Sequence, residues 1–168
     1  MQSVRFEPVD LVRDRDTCVR FRRDSYFCSF GEGEAFDPSS GGVAGYLERL
    51  RERLATLPEG IVHVWRVDAI VGQIEAQIPP ALGTGYVNLF YLVPEVRGSG
   101  IGDQLHAYVV SLFSRRSVPS ARLSVSPTNA RALRYYAKHG WRDLGPRPDH
   151  PTVHLMELVI EPQPSAPG

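Results

Sequence analysis

The stretch from Gly85 to Gly102, GYVNLFYLVPEVRGSGIG, predicts a strand, a glycine-rich turn and the start of a helix in immediate succession. Its first part, 87–93, is rich in β-branched and aromatic residues, and Asn88 and Tyr91 are its polar positions. That composition is typical of a central strand. Pro94 has no amide hydrogen to donate to a sheet, so we expect the strand to end before it.

The turn that follows predicts a phosphate-binding site. Gly98, Gly100 and Gly102 let the backbone bend and leave its amides uncovered by side chains. From residue 101 apolar side chains recur every three or four positions, as on one face of a helix. A helix N-terminus exposes unpaired amide hydrogens and the positive end of the helix dipole, and both favour an anion.

The spacing of the glycines argues against two common nucleotide motifs. The lysine of a P-loop is absent, and Asp103 stands where the dinucleotide pattern Gly-x-Gly-x-x-Gly requires its third glycine. The segment instead reads Arg-x-x-Gly-x-Gly over residues 97–102. Six residues alone also fit an ordinary structural turn without a ligand.

A second segment, NARALRYYAKHGW from Asn129 to Trp141, has the signals of a short helix. Asn129 is a favourable N-cap and Gly140 a favourable stop. Tyr136 follows Asn129 by seven residues, close to two turns, so both lie on one helix face.

Together the two segments resemble the GNAT superfamily of acyl-CoA-dependent N-acyltransferases. Residues 97–102 resemble its pyrophosphate-binding segment. Residues 129–141 are similar to its Asn-x-x-Ala-x-x-x-Tyr-x-x-x-Gly-Phe stretch: Asn129, Ala132, Tyr136 and Gly140 match, and Trp141 stands where Phe is usual. The two motifs occupy the second half of the chain in the family's order.

The predicted elements agree with the fold that this resemblance implies. Their order is strand, two helices, three strands, helix, strand, helix and two strands, and the proline-rich stretch 145–151 is expected to separate the last two strands. The implied fold is α/β, a GNAT fold with a mixed, mostly antiparallel sheet of about seven strands and helices on both faces. We expect one domain over residues 1–160 and a loose tail over 161–168.

The resemblance implies acetyl-CoA as the co-substrate. Pantetheine would pair with the backbone of Leu92 and Val93, where two strands diverge in this family. The pyrophosphate would lie on the amides of Arg97, Gly98, Ser99, Gly100, Ile101 and Gly102. Asn129 would hydrogen-bond the cofactor, Ala132 would leave room for it, and Tyr135 would pack or line its site.

The resemblance also nominates catalytic residues. Tyr136 is the candidate general acid, because a phenol is protonated at neutral pH and can donate to a departing thiolate; a packing aromatic is the alternative. The residues themselves, rather than the resemblance, suggest Glu75 as the first candidate for the base, because it lies on the strand before the central one and on that strand's polar face; an exposed charge on a half-solvated strand is the alternative. The acceptor pocket of the family lies around the first two helices, and the candidates for substrate contact are Arg22, Tyr26, Asn88 and Tyr91.

The composition limits the other classes of function. Lys plus Arg and Asp plus Glu are 19 each, so no net charge favours nucleic acid or an anionic membrane. No apolar run is long enough to span a bilayer and no signal peptide is evident, so we expect a cytoplasmic protein. Cys18 and Cys28 match no metal-binding spacing, and His150 and His154 are separated by a proline outside any predicted helix, so no metal is expected.

The leading hypothesis is therefore an N-acetyltransferase acting on a primary amine of a small molecule, a peptide or a protein. The alternative is an acyl-CoA-binding regulatory module without transfer activity, since the glycine turn supports both. Nucleotide binding is a third hypothesis, and competition between ATP and CoA would decide it. Many members of the family form homodimers, but the sequence does not establish one here.

Overall fold

The computed structural model describes residues 3–162, so the predicted tail lies outside the described residues from residue 163 onward. The helices are α1 (Arg15–Phe30), α2 (Gly42–Thr56), α3 (Ile101–Arg115) and α4 (Ala130–Lys138). The strands are β1 (Arg5–Pro8), β2 (Ile61–Arg66), β3 (Ala69–Gln77), β4 (Gly85–Leu92), β5 (Ser120–Val125), β6 (Arg142–Arg147) and β7 (His150–Val159). The predicted order of elements is confirmed.

The seven strands form one sheet in the order β1-β2-β3-β4-β5-β7-β6. Over the described residues, β4 and β5 are parallel and the other five neighbouring pairs are antiparallel. A parallel pair needs a crossover connection, and α3 supplies it. The predicted mixed, mostly antiparallel sheet is therefore confirmed.

The sheet is covered on both faces, and the alternation of side chains along each strand decides which core they join. On one face, the apolar stripe of α3 packs on strand residues such as Val62, Ile74, Val87 and Leu123. On the other face, α1 and α2 cover a second core whose buried members are Val9, Cys18, Phe36, Tyr46, Leu50 and Ile61. This arrangement leaves the end of β4 between α1 and α3.

The prediction that residues 145–151 break the chain between the last two strands was wrong. The strand β6 continues through Pro146 to Arg147, and β7 begins at His150, so two residues connect them. Pro146 is tolerated because β6 is the edge strand, where one side of the ladder needs no donor. The β6–β7 register shifts on both sides of Pro146, as expected where a proline interrupts regular pairing.

Candidate active site

The site begins where β4 separates from β5. Their parallel pairing joins 85–87 to 121–123 and goes no further, although β4 continues to Leu92 and β5 to Val125. At the same point the register between β3 and β4 shifts, which leaves Asn88 as the extra residue of a bulge. A bulge bends and twists its strand, so β4 turns away from β5 and a gap opens between them.

The edge of β4 that faces this gap carries backbone groups without a partner strand. The amide of Val93 donates to the carbonyl of Val71 at 2.9 Å, so alternate residues of β4 bond β3. By the antiparallel pattern, Phe90 and Leu92 present their backbone groups to the gap instead. Leu92 therefore turns its backbone toward the gap, and its carbonyl accepts from Arg97 Nε at 2.8 Å, whereas the Val93 amide is directed at β3.

The glycine turn leaves a run of free amides beside that edge. Gly98 and Gly100 have φ of +78° and +90°, a left-handed backbone that glycine adopts readily. Within residues 3–162, the amide hydrogens from Gly98 to Gly102 have no acceptor, and α3 has no side-chain cap. A Cβ at Gly98 or Gly100 would meet nothing within 4 Å, so the concave side is open. Successive free amides at a helix N-terminus fit a pyrophosphate. Arg97 differs, because its amide already donates to the Pro94 carbonyl at 3.2 Å.

The side chain of Arg97 ties the turn to α1. Besides its bond to the Leu92 carbonyl, its guanidinium lies 3.4 Å from Asp24 Oδ2 and over the ring of Tyr91. The Tyr91 hydroxyl donates to the same carboxylate. Burial and this bond to Asp24 both raise the pKa of Tyr91 above its usual range. Asp24, on α1, therefore links β4 to the glycine turn.

The second motif forms the opposite wall of the gap. Asn129 Oδ1 accepts from the amide of Ala132 at 3.2 Å and so caps α4, while its Nδ2 lies 3.3 Å from Ser29 Oγ on α1. Tyr135 donates its hydroxyl to the Gly102 carbonyl at 2.7 Å. The two motifs thus contact each other, and Ser29 joins α1 to the second.

Trp141 makes a hydrogen bond that a phenylalanine at this position could not make. The indole nitrogen of Trp141 donates to His106 Nε2 on α3 at 2.9 Å. Burial, assisted by the neighbouring His139, lowers the pKa of His106 to about 4, so at neutral pH its ring is uncharged and can accept this bond. The bond fixes the end of α4 against α3.

Tyr136 lines the gap from α4. It is half-buried, packs beside Phe90 and Trp141, and its hydroxyl makes no hydrogen bond to a residue within 3–162. Burial raises the pKa of Tyr136 above its usual range, because the phenolate would lose hydration. The phenol is therefore protonated at neutral pH and free to donate.

These elements enclose a cleft of about 890 Å³. Most of the predicted site residues line it: Arg22, Tyr26, Asn88, Tyr91, Leu92, Arg97, Gly98, Gly102, Asn129, Ala132, Tyr135 and Tyr136. Val93, Ser99, Gly100, Ile101 and Glu75 are not in its wall. Ser99, Gly100 and Ile101 were predicted to bind the pyrophosphate through their backbone amides, which have no acceptor within residues 3–162. The Ile101 side chain is in the core.

Sequence reasoning missed several polar residues of the cleft wall. They come from the loop after α1, from the start of β4, from β5, from α4 and from the β6–β7 hairpin: Asp37, Tyr86, Ser124, Arg131, Arg147 and His150. Arg147 donates to Ser124 Oγ at 3.1 Å and pairs with Asp149 at 2.7 Å. Tyr86 and Ser124 share a hydrogen bond of 2.7 Å. No motif marks these residues, because distant elements assemble them.

Glu75 belongs to a buried network rather than to the cleft wall. Its Oε2 accepts from Tyr46 Oη and from Gln73 Nε2, both at 2.8 Å, and Gln73 Oε1 lies 2.8 Å from His63 Nε2. The side chain is 1% exposed, so the alternative of a half-solvated surface charge was wrong. The polar face of β3 is covered by α1 and α2. A base at Glu75 stays a prediction and has no direct contact with the cleft.

Replacing Glu75 with alanine is expected to destabilise the fold. The hydroxyl of Tyr46 and the amide of Gln73 would remain buried with only longer contacts, to the Cys18 carbonyl at 3.5 Å and to Tyr46 Oη at 3.3 Å, at a cost of about 2–4 kcal/mol in the free energy of unfolding. Urea unfolding of the variant measures this loss. Glu48→Ala, an exposed glutamate on α2, is the control and should change stability by less than about 0.5 kcal/mol. Unchanged stability with a lost turnover rate would contradict this expectation and favour a catalytic role.

Two negative findings apply to residues 3–162. No group of three or more His, Cys, Asp or Glu side chains is arranged to bind a metal ion. No helix in that range has both the length and the apolar character needed to cross a bilayer.

Comparisons with known proteins agree with this geometry. The family model described as the acetyltransferase (GNAT) family matches residues 22–141, which include both motifs. PaiA N-acetyltransferase from Thermoplasma acidophilum, solved with coenzyme A, superposes with a TM-score of 0.75 at 18% identity, covering 94% of this chain and 99% of that one.

Two other solved structures show the same fold. Ard1 from Thermoplasma volcanium has a TM-score of 0.72 at 21% identity, with 94% of this chain and 98% of that one covered. Spermidine N-acetyltransferase from Vibrio cholerae, solved with CoA and spermine, has a TM-score of 0.68 at 12% identity, with 94% and 95% covered. With both motifs meeting at one cleft and the family model spanning most of the chain, this protein is a member of the GNAT family of acetyltransferases.

Proposed function

We propose that this protein transfers an acetyl group from acetyl-CoA directly to a primary amine bound in the cleft. The observation that carries the proposal is the position of the free amides of Gly98 to Gly102 beside the unpaired edge of β4. The amides fit the pyrophosphate, and the strand edge fits the pantetheine chain as an added strand. Gly98 and Gly102, at the two ends of the amide run, and Leu92, on the strand edge, line the same cleft as Tyr136.

In the proposed reaction, the amine nitrogen attacks the thioester carbonyl carbon, and the carbon–sulfur bond then breaks. The backbone groups of Phe90 and Leu92 that face the gap include donors for the carbonyl oxygen as its charge develops. Tyr136 donates its proton to the departing sulfur, which suits a phenol whose raised pKa keeps it protonated. Before this attack the acceptor ammonium loses one proton to solvent or to a carboxylate of the exposed cleft wall, where Glu34 and Asp37 lie, because only the neutral amine has a lone pair to donate. A second proton leaves the nitrogen after the carbon–nitrogen bond has formed and restores the Tyr136 phenol through solvent.

Acetyl-CoA is expected to raise the thermal stability of the protein and to be consumed when a suitable amine is present. A ligand that binds only the folded state stabilises it by roughly 3 kcal/mol at a hundredfold excess over its Kd. Thermal-shift titrations with acetyl-CoA, CoA, longer acyl-CoAs and ATP measure binding. CoA release and product mass, measured with an amine panel that includes spermidine, amino acids and peptides, measure transfer.

The outcomes separate the hypotheses. Stabilisation by acetyl-CoA with release of CoA in the presence of one class of amine supports the acetyltransferase. Stabilisation without turnover on any amine favours the binding module. If CoA thioesters do not raise the unfolding temperature of folded protein, both the acetyltransferase and the binding-module hypotheses fail. If ATP alone raises it, the nucleotide-binding hypothesis is favoured.

A further inference from the structure

The helix α1 presents a stripe of side chains to the acceptor end of the cleft. Arg22, Tyr26 and Phe30 follow one another at intervals of four residues, and all three line the cleft. Residues four apart lie on the same helix face. Ser25 and Ser29 fill the positions between them. This stripe contains a cation at one end and two aromatic rings along the rest.

Arg22 is the half-buried cation of this stripe, and it forms no ion pair with any residue in 3–162. Among these residues its guanidinium donates one hydrogen bond, to the carbonyl of Asn88 at the bulge, at 3.3 Å. Two other arginines of the cleft wall differ: Arg97 pairs with Asp24, and Arg147 pairs with Asp149.

The buried carboxylate of Glu75, on the same side of the sheet, does not form an ion pair with Arg22 either. Glu75 accepts from Tyr46 and Gln73 and forms no ion pair with the part of the chain from residue 3 to residue 162. A guanidinium has five donors, of which Arg22 directs few to protein acceptors. A half-buried cation with spare donors, open to a cleft, is suited to a ligand carboxylate or phosphate.

The rest of the stripe is apolar and remains partly uncovered. The rings of Tyr26 and Phe30 are 4.9 Å apart, and Phe30 is 44% exposed. Neighbouring aromatic rings at the border of a cleft provide a surface for an apolar or aromatic ligand group. The stripe therefore combines one anion-binding group with one apolar wall on a single rigid helix.

We infer that the acceptor is a small primary amine that also carries an anionic group and an apolar or aromatic body. The anion, a carboxylate or a phosphate, binds Arg22, and the apolar body packs on Tyr26 and Phe30. Arg22 is then the residue that determines specificity. This inference rests on the proposed acetyl transfer and adds the chemical class of the acceptor.

Matched acceptors that differ only in the anion test this inference. L-phenylalanine, its amide and its α-aminophosphonate share one apolar body and differ in charge. Each is assayed for kcat/KM with the wild-type protein and with Arg22→Gln. For each acceptor, kcat/KM of the wild type is divided by kcat/KM of the variant, and these ratios are compared. Differences in amine basicity between acceptors cancel in the ratio.

Arg22→Gln is expected to lower kcat/KM for the anionic acceptors about 10- to 100-fold, because each loses charge-assisted hydrogen bonds. For the amide the change should stay below about threefold. The phosphonate and carboxylate arms show which anion the site prefers. Arg23→Gln is the matched control, since Arg23 is on the same helix but exposed and absent from the cleft wall.

Acetyl-CoA affinity and unfolding midpoint are measured on each variant and should remain unchanged, which separates specificity from folding. The inference would be overturned if Arg22→Gln lowered kcat/KM equally for the amide and for the anionic acceptors. It would also be overturned if wild type and variant had the same kcat/KM for every acceptor. Failure of the proposed function looks different: no amine would be acetylated, although acetyl-CoA still binds.

Discussion

Replacing Gly100 with glutamate is expected to weaken the binding of CoA by about 100-fold or more. A negative side chain would stand beside the free amides that are proposed to hold the pyrophosphate, and juxtaposed like charges cost several kcal/mol. Gly100 has φ of +90° and open space at its Cβ position, so the new side chain has room to reach the anion site. Isothermal titration calorimetry with CoA measures the change.

The backbone strain of this substitution needs its own control. A non-glycine residue in the left-handed region costs roughly 1–2 kcal/mol whatever its charge. Gly145→Glu supplies the match: Gly145 has φ of +89°, also has nothing within 4 Å of its Cβ position, and is not in the cleft wall. We expect the two variants to lose similar stability and only the first to lose CoA affinity. Equal CoA affinity in both would show that the pyrophosphate does not lie on this turn.

Replacing Tyr136 with phenylalanine is expected to lower kcat about 10²- to 10⁴-fold, the usual contribution of a positioned general acid. The ring would still pack beside Phe90 and Trp141, so the structure of α4 should be retained. The Kd for acetyl-CoA should change by less than about threefold. Single-turnover measurements of CoA release, together with a binding titration, separate the chemical step from affinity.

Tyr108→Phe is the matched control for loss of a phenol. Tyr108 is on α3 and outside the cleft wall, and its hydroxyl donates to the Glu59 carbonyl at 2.7 Å. Its replacement should therefore leave the turnover rate unchanged. A Tyr136→Phe variant that retains more than about a third of wild-type kcat would contradict the acid assignment. In that case the departing thiolate takes its proton from solvent, and Tyr136 serves as a packing aromatic.

The contacts of Arg97 connect three elements that surround the cleft. Its guanidinium holds the Leu92 carbonyl and Asp24, and Asp24 also accepts from Tyr91. The glycine turn, the end of β4 and the helix α1 are therefore joined through one carboxylate. The resemblance assigned the Arg97 amide to the pyrophosphate, and the structure adds that the Arg97 side chain holds together elements that surround the cleft.

The sequence by itself determined the order of elements and the position of the two motifs. These features depend on local chemistry: proline ends a strand, glycine opens a turn, and Asn129 caps a helix. Asn129 does cap α4, and the free amides of the turn follow from the backbone of Gly98 and Gly100. Signals of this kind depend on residues that are close together in the sequence, so they could be recognised without a structure.

Tertiary structure alone decided which polar groups are buried and which face the cleft. The alternation along β3 placed Glu75 on its polar face, but only the packing of α1 and α2 showed that this face is covered. The same holds for Arg22, which forms no ion pair within the described range 3–162 because of what surrounds it in space. Burial and pairing are properties of contacts between distant segments, and no local pattern encodes them.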